Sequence, residues 1–573
     1  MTALDVKLRD LARCAPQPNA ASQSKEPSAP RGRTSQADLI VDLADDLGVE
    51  LVHDSARVAY AVMEQSHVRT VYAVRSSAFT TLLAKEFYDR NEKVPRAAAL
   101  SDARAVLEGR GVHAGRLVDV GLRIAGDRNE IDVDLGDALW RMAHVTCDGW
   151  GIKSHGNRLF RRAPGMLALP EPVHGANLTE LRDFVRVDDD DYPLLVAFLV
   201  NAMRNRGPYP ILLLSGEQGS AKTTTARTLR RLIDPNKADV RAEPTQNRDL
   251  AIAANNGHML VLDNLSHLTA QMSDALCRLS TGGGFSTRTL YTDDEETIFD
   301  GQRPIILTSI VDVASRGDLL DRCLTVRLQP IPECDRRTEG ELWEKFDAAQ
   351  PRLFGALLDA ISAALRNVSR VDSTVRLKPR MADAFTWALA AAPALCIEET
   401  VIAQAWNCAR DEAYAATIES SLIAAPLLEL ILGGGLRWSG TATEMQAQVE
   451  RLVDDTTKRR KEWPKSPKAF AGQVRVIAPA LRAAGVDHAE DRSPGTGARL
   501  HFFTATESGI DASRASRGPS DQAEYRDTSI ASVTQGVPSE SGSVTAKPRS
   551  YAGSDDCDAS AQVECALQDA VTW

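Results

Sequence analysis

A chain of 573 residues, 43% apolar and 25% charged, excludes a fibrous or wholly disordered protein and has the length of about three to four domains. Its net charge of −11 excludes a surface clad throughout in basic residues for nucleic acid, but leaves room for one local basic module. Nine scattered cysteines with no C-x-x-C pair exclude a zinc ribbon and a disulfide framework, so reduced thiols in a cytoplasm are expected.

Residues 1–35 pass through Pro16, Pro18, Pro27 and Pro30 and read as a disordered N-terminal segment. With Asp5 and Asp10 near its start, it does not read as a secretory signal. Residues 36–180 read as an α+β accessory domain. It has helical runs at Ser77–Tyr88 and Leu100–Leu107, and strand-like pieces at Leu117–Ala125, Glu130–Leu135 and Trp150–Lys153. Asp132 and Asp134 alternate with Ile131, Val133 and Leu135, which puts both acids on one strand face. Such a pair holds Mg²⁺ in polymerases. The plainer and preferred reading is the solvated face of a half-buried strand. His53 and His67 show no ligand spacing.

Residues 181–370 carry the densest signal. The acidic run Asp188–Asp191 reads as a solvated helix start. Ile211–Leu214 is one buried strand, and the turn Gly216, Glu217, Gln218, Gly219, Ser220, Ala221 leads into Lys222, Thr223 and Thr224, which open a helix. Strand, glycine turn, Lys-Thr and helix form the layout of a P-loop. There, backbone N–H groups and the helix N-terminus cradle phosphates, the lysine reaches the β- and γ-phosphates, and the threonine hydroxyl ligates Mg²⁺. ATP and Mg²⁺ are therefore the expected cofactors. The pattern has a glycine where this chain has Ala221; that position is expected to be turning into the helix already, where alanine is at ease.

Further along, Asn247–Asn255 reads as a helix and His258–Asp263 as a buried strand ending in an acid, the place of a Mg²⁺-water ligand. Asn264 follows, an amide that orients water but cannot take its proton, which leaves Glu217 as another candidate carboxylate. Met272–Leu279 reads as a helix, Phe285–Tyr291 and Glu295–Phe299 as a hairpin, Pro304–Ser309 as a strand ending in hydroxyls, and Leu324–Leu328 as a last strand.

This order resembles the superfamily 3 helicases, and most of all the helicase half of phage- and plasmid-type primase-helicases and prophage-type bacterial ATP-binding proteins, over about 205–332. The resemblance implies an α/β P-loop NTPase core of the AAA+/superfamily 3 kind, with Lys222 and Thr223 on nucleotide and Mg²⁺ and Asp263 as the second acidic motif. It puts Thr308 or Ser309 where the family has a γ-phosphate-sensing Asn. It matches Arg316 and Arg322 to an Arg-containing turn that supplies an arginine finger to the next subunit of a ring, and Arg288 to the hairpin that grips single-stranded DNA. For Arg322 a local salt bridge to Asp318 stands beside the finger.

Residues 371–435 read as a helical region, with Pro393 ending the run that starts at Ala382. Residues 436–505 read as a winged-helix DNA-binding domain: a helix at Thr441–Val453, a helix at Lys468–Ala484 that Pro479 would kink or split, and a hairpin from Val486–Ala489 and Arg499–Phe503. Lys458, Arg459, Arg460, Lys468 and Arg475 are its candidate DNA contacts. Residues 506–573 read as a disordered tail. No run reaches the ~18 apolar residues of a membrane span, so no membrane partner is expected.

The expectation is an ATP-hydrolysing, helicase-like ring acting on DNA in replication of a phage or mobile element. A nucleotide-dependent DNA-binding switch without motor activity is the alternative, motivated by Asn264 and the missing sensor Asn. A primase-helicase with catalytic Asp132 and Asp134 is a third.

Overall fold

The computed structural model describes residues 35–506 apart from 66–67, 155, 157, 284, 289–295, 300, 310–316, 377, 435 and 494–496, with backbone only at 285–288, 296–299 and 317. Almost all of the two terminal segments expected to be disordered, together with His67 and Arg316, lies outside the described residues. The fold is mixed α/β, with several sheets and many helices. No single described helix is long and apolar enough to cross a membrane.

Helix α1 (Gln36–Asp46) opens on a capping box in which the Ser35 hydroxyl accepts from Asp38 N–H and the Asp38 carboxylate accepts from Ser35 N–H. Strands β1 (Glu50–His53), β2 (Ala59–Gln65) and β3 (Val68–Ala73) follow, then α2 (Ser77–Asn91), α3 (Ala97–Ala114) and β4 (Arg116–Leu117). The sheet order is β3-β2-β1-β4, and Ile40, Leu43, Ala61, Phe79, Leu83 and Leu107 form its core with the helices. After β5 (Val120–Gly121) comes an antiparallel meander, β6 (Ile124–Gly126), β7 (Glu130–Asp134), β8 (Met142–Thr146) and β9 (Gly149–Lys153); β10 (Leu159–Phe160) then returns to pair with β5. The meander does not share the first core. Ile131, Val133 and Val145 belong to the large central cluster with residues of the segment that follows. The stretch 36–180 therefore serves more than one core.

Asp132 and Asp134 are not on a solvated face, being only 3% and 2% exposed. The chain after β9 folds back over β7 and brings basic side chains with it. Asp132 bonds His144 Nδ1 at 2.6 Å and pairs with Arg158 Nε at 3.3 Å, while Asp134 receives Arg162 Nε at 3.0 Å and Nη2 at 2.7 Å. Buried carboxylates need such partners, and these partners take up the oxygens that a polymerase metal pair would use.

Helix α4 (Tyr192–Ala202) is buried on every side. Beyond it lie β11 (Ile211–Ser215), α5 (Lys222–Ile233), α6 (Asn247–Asn255), β12 (Leu260–Leu265), α7 (Ala270–Thr281), the antiparallel pair β13 (Phe285–Arg288) and β14 (Glu296–Phe299), β15 (Ile305–Ser309), α8 (Gly317–Leu320) and β16 (Cys323–Arg327). Strands β12-β15-β11-β16 form a parallel sheet in that order. Alternate side chains feed opposite cores, Leu212 and Leu214 on one face and Ile211 and Leu213 on the other. The acidic run before α4 is only partly solvated: Asp191 accepts from Arg327 N–H at 2.6 Å, and Asp188 from Gln329 at 2.7 Å. A buried network closes the far end of α5. Arg123 Nε pairs with Asp234 Oδ1 at 3.2 Å, and Asp234 Oδ2 accepts from the backbone N–H of His258 and Met259.

Helix α9 (Glu339–Thr374) is 36 residues long and starts with a capping box between Thr338 and Glu341. Arg227 of α5 pairs with Glu339 at its start, and farther along Asp359 accepts from Trp150 Nε1 and Ser362 donates to Thr146 C=O. Gly355 is required there: a Cβ would lie 1.9 Å from Val173 O. Helix α10 (Ala382–Leu395) packs on it, and α11 (Glu399–Ser420) packs on α10 and α4. Pro393 does not end α10, which runs two residues further to an αL cap at Cys396. In the last turn a proline forfeits one backbone bond, and burial of Trp387, Leu389 and Leu395 carries the helix through.

The remaining elements are α12 (Ala424–Gly433), β17 (Arg437–Thr441), α13 (Ala442–Val449), α14 (Asp455–Arg459), α15 (Pro467–Ala483), β18 (Val486–Arg492) and β19 (Arg499–Ala505). Their sheet, β17-β19-β18, is antiparallel throughout. Pro479 does not split α15, whose Phe470, Val474, Ile477 and Leu481 are buried. Ile423, Leu427 and Ile431 share this core, so α12 packs with 436–505 as well as against the end of α11, where Ile418 lies on the same cluster.

Candidate functional site

The carboxyl ends of β11 and β15 meet at one edge of the parallel sheet, the edge where α/β folds bind ligands. There the turn 216–221 leaves β11 in a shape set by its glycines. Gly216 has φ +150°, and a Cβ on it would meet Leu328 O at 2.7 Å; Gly219 has φ +86°. Ser220 Oγ donates to Glu217 O at 2.9 Å, and Lys222 Nζ donates to Gly216 O at 2.8 Å and Glu217 O at 2.7 Å. The glycine turn is thus wrapped around the lysine ammonium. Burial lowers the Lys222 pKa, and the Asp263 carboxylate pulls it back up. Glu217 and Gln218 are exposed on the turn.

Ala221 is not helical. It has φ +58° and ψ +31°, the left-handed conformation natural to the glycine of the pattern, and it is the N-cap of α5 with no side-chain capping bond. The expectation that alanine is at ease there is therefore corrected. Without a side-chain cap, the first N–H groups of α5, from Lys222 to Thr224, are left facing the turn, where an anion is favoured.

Across the sheet edge, Thr223 Oγ1 lies 2.9 and 3.0 Å from the two oxygens of Asp263. Thr308 Oγ1 donates to Asp263 Oδ1 at 2.6 Å and accepts from Asn264 N–H at 2.8 Å. Of the two hydroxyls ending β15, only Thr308 faces the site; Ser309 Oγ donates to Leu265 O on the other side. Strand β12 continues past Asp263, with an irregular register and Asn264 at φ +58°, a conformation asparagine tolerates better than most residues. A hydroxyl and a carboxylate beside a lysine and an uncapped helix start fit a magnesium–triphosphate: Thr223 and Asp263 would hold the metal, and Lys222 with the turn N–H groups would hold the phosphates.

Other expected residues lie elsewhere. Arg322 precedes β16 at the amino end of the sheet, since Cys323 pairs with Ile211 while Arg327 pairs with Ser215 beside the turn. Its Nη1 pairs with Asp318 Oδ1 at 2.5 Å, an acid that Arg380 also engages at 2.7 Å. The local bridge is what this chain forms. Arg316 and the Arg288 side chain fall outside the described residues. Among the basic residues of the C-terminal unit, Arg459, Arg460 and Lys468 are exposed and Lys458 pairs with Asp455 at 3.0 Å. Arg475 is committed to Glu490 of β18, by Nε at 2.7 Å and Nη2 at 3.3 Å. The pairing of Asp132 with His144 and Arg158 and the place of β17 were missed; Arg437-Trp-Ser-Gly-Thr441 has no apolar alternation to reveal a strand.

Two family models match adjoining parts of the chain. The actinomycete integrative conjugative element replication protein matches residues 177–404, and the AICE RepA C-terminal domain matches 423–517. The chain matches a mobile-element replication family. The first match contains the whole sheet edge described above, and the second starts at Ile423, where the C-terminal core begins. Among solved structures, two apo forms of the NrS-1 C-terminal region are similar at TM-score 0.36 and 11% identity, over 81% and 82% of this chain and 98% and 99% of theirs. A likeness that shallow carries no argument about function. Comparison with curated proteins gives no match.

Proposed function

We propose that the chain is an ATP-binding, helicase-like DNA ATPase serving replication of a mobile element. The observation that carries this reading is the contact of Thr223 with Asp263 at the carboxyl edge of the parallel sheet, beside Lys222 and the uncapped start of α5. These residues bind and orient. The Thr223 hydroxyl and Asp263 carboxylate would hold the metal, Lys222, now on the loop carbonyls, would reach phosphate, and Thr308 keeps Asp263 in place. Bound Mg²⁺ would supply charge neutralisation at the phosphates.

The C-terminal unit supports a DNA partner by its topology. Its order of α12, β17, α13, α15, β18 and β19, with α14 inserted and the sheet ordered β17-β19-β18, follows a winged-helix plan. A ring of copies would place the amino edge of one sheet, with Arg322, against the nucleotide edge of the next, and Arg322 would have to leave Asp318 to act there. Isothermal calorimetry with ATP and Mg²⁺ tests the reading: micromolar binding that Lys222→Ala abolishes is expected, and absence of binding in the unaltered protein overturns it.

A specific observation favours a second reading, a nucleotide-dependent DNA switch without motor activity. Asn264 is exposed beside Asp263, and a threonine hydroxyl occupies the place of the sensor amide. Strong ATP and DNA binding with negligible hydrolysis and no strand displacement would select the switch.

A further inference from the structure

We propose that His488, Glu490 and His501 form a binding site for one divalent transition-metal ion of zinc-like preference on the C-terminal hairpin. The hairpin builds the cluster by register alone. His488 and Glu490 are two residues apart on β18, so their side chains leave the same face, and Glu490 pairs directly with His501 on β19. One ligand atom from each residue lies within 4.8 Å of the others. His488 Nε2 is 3.1 Å from His501 Nδ1, and His501 Nδ1 is 3.5 Å from Glu490 Oε1. A tetrahedral zinc ion with Zn–N bonds of about 2.0–2.1 Å separates neighbouring ligand atoms by roughly 3.3 Å. Two of the three separations therefore match edges of one coordination shell before any ion arrives, and the third lies within 4.8 Å. Two imidazoles and one carboxylate form a ligand set that leaves a fourth position for water or an exchangeable group.

The surroundings hold the donors in place. His501 is 1% exposed, and the His488 ring stacks on Phe503 at 4.7 Å between centroids. Arg475 from α15 binds both Glu490 oxygens, and Arg499 Nε lies 3.7 Å from Oε2. Oε1, the oxygen nearer His501, already receives Arg475 Nε at 2.7 Å, so ligation through it would share that oxygen with the guanidinium, whose Nη2 stays on Oε2 at 3.3 Å and orients the carboxylate. The bound ion would tie β18 to β19 and to α15 through Arg475. In its absence the same atoms make a plain imidazole–imidazole hydrogen bond, so the question is whether an ion displaces that proton.

The test uses the full chain, stripped with chelator, free of nucleotide, and titrated with Co²⁺ and then Zn²⁺. One equivalent of Co²⁺ with visible d–d bands and no thiolate charge-transfer band is expected, displaced by Zn²⁺, together with a raised melting temperature. His488→Gln and Glu490→Gln are each expected to weaken binding at least ~10-fold. Should His488→Gln fail to fold, Glu490→Gln, an isosteric change at a partly exposed side chain, decides alone. Absence of the spectrum in the unaltered protein, or binding by a folded variant equal to it, overturns the proposal.

Discussion

Thr308 donates a 2.6 Å hydrogen bond to Asp263 while its oxygen receives the N–H of Asn264, so the end of β15 clamps both sides of the bend in β12. One hydroxyl thereby fixes a carboxylate and the backbone that follows it. Thr308→Val keeps the shape and removes the clamp. ATP affinity by calorimetry is expected to stay within about threefold while the turnover number falls by about tenfold or more, the pattern of a positioning group. Equal losses in both would mean that Thr308 only supports the fold.

Ala221 pays for its left-handed conformation with strain of about 1–2 kcal/mol, partly offset because glycine loses more chain entropy on folding. Ala221→Gly is expected to stabilise the protein by up to about 1 kcal/mol in denaturant unfolding, and Ala221→Val to destabilise it by at least as much.

Acid should weaken the sheet through His258. Burial pushes its pKa down from 6.5 to about 4, with Asp234 pulling the other way. The unfolded chain binds this proton below pH 6.5 and the folded protein only below about 4. The stabilisation is therefore complete above 6.5 and is lost as pH falls toward 4, by about 3 kcal/mol at most. Asp234 adds a further loss at lower pH. Burial raises its pKa, but Arg123 and Arg230 outweigh that and hold it below the ordinary value. His258→Gln, which can still donate to Ala202 O, should flatten the stability profile between pH 6.5 and 4 in urea titrations at fixed salt.

On the C-terminal unit, ion pairing separates residues that sequence alone treats alike. Alanine at Arg459 and Arg460 together is expected to weaken DNA binding and to reduce the salt slope of log K by about 2, near 0.9 per phosphate lost. Arg475→Ala should change that slope by less than about one, because its guanidinium is held by Glu490. Fluorescence anisotropy across a salt series distinguishes them.

The order from Ile211 to Asp263, strand, glycine turn, helix and a further strand carrying an acid, was legible because it depends on adjacent residues, although β12 runs on past Asp263 to Leu265. Asn247–Asn255 and the hairpin of β18 and β19 were legible for the same reason. What stayed hidden depends on partners distant in sequence. Asp132 looked solvated because nothing near it announces that Arg158 will fold over it. Ala221 looked helical because its neighbours are, and only the finished turn forces a positive φ. Thr308 and Ser309 could not be told apart until the pleat sent one toward Asp263 and the other toward Leu265.

Helix α9, at 1.5 Å per residue, is a beam roughly 54 Å long. Its first turn is tied to α5 through Arg227, and its middle to the meander through Trp150 and Thr146. Cutting the chain near residue 180 would strip one side of that beam and bare its apolar flank. The meander and α5 thus lean on one shared beam, so the strands β6 to β9 belong structurally with the segment that follows them.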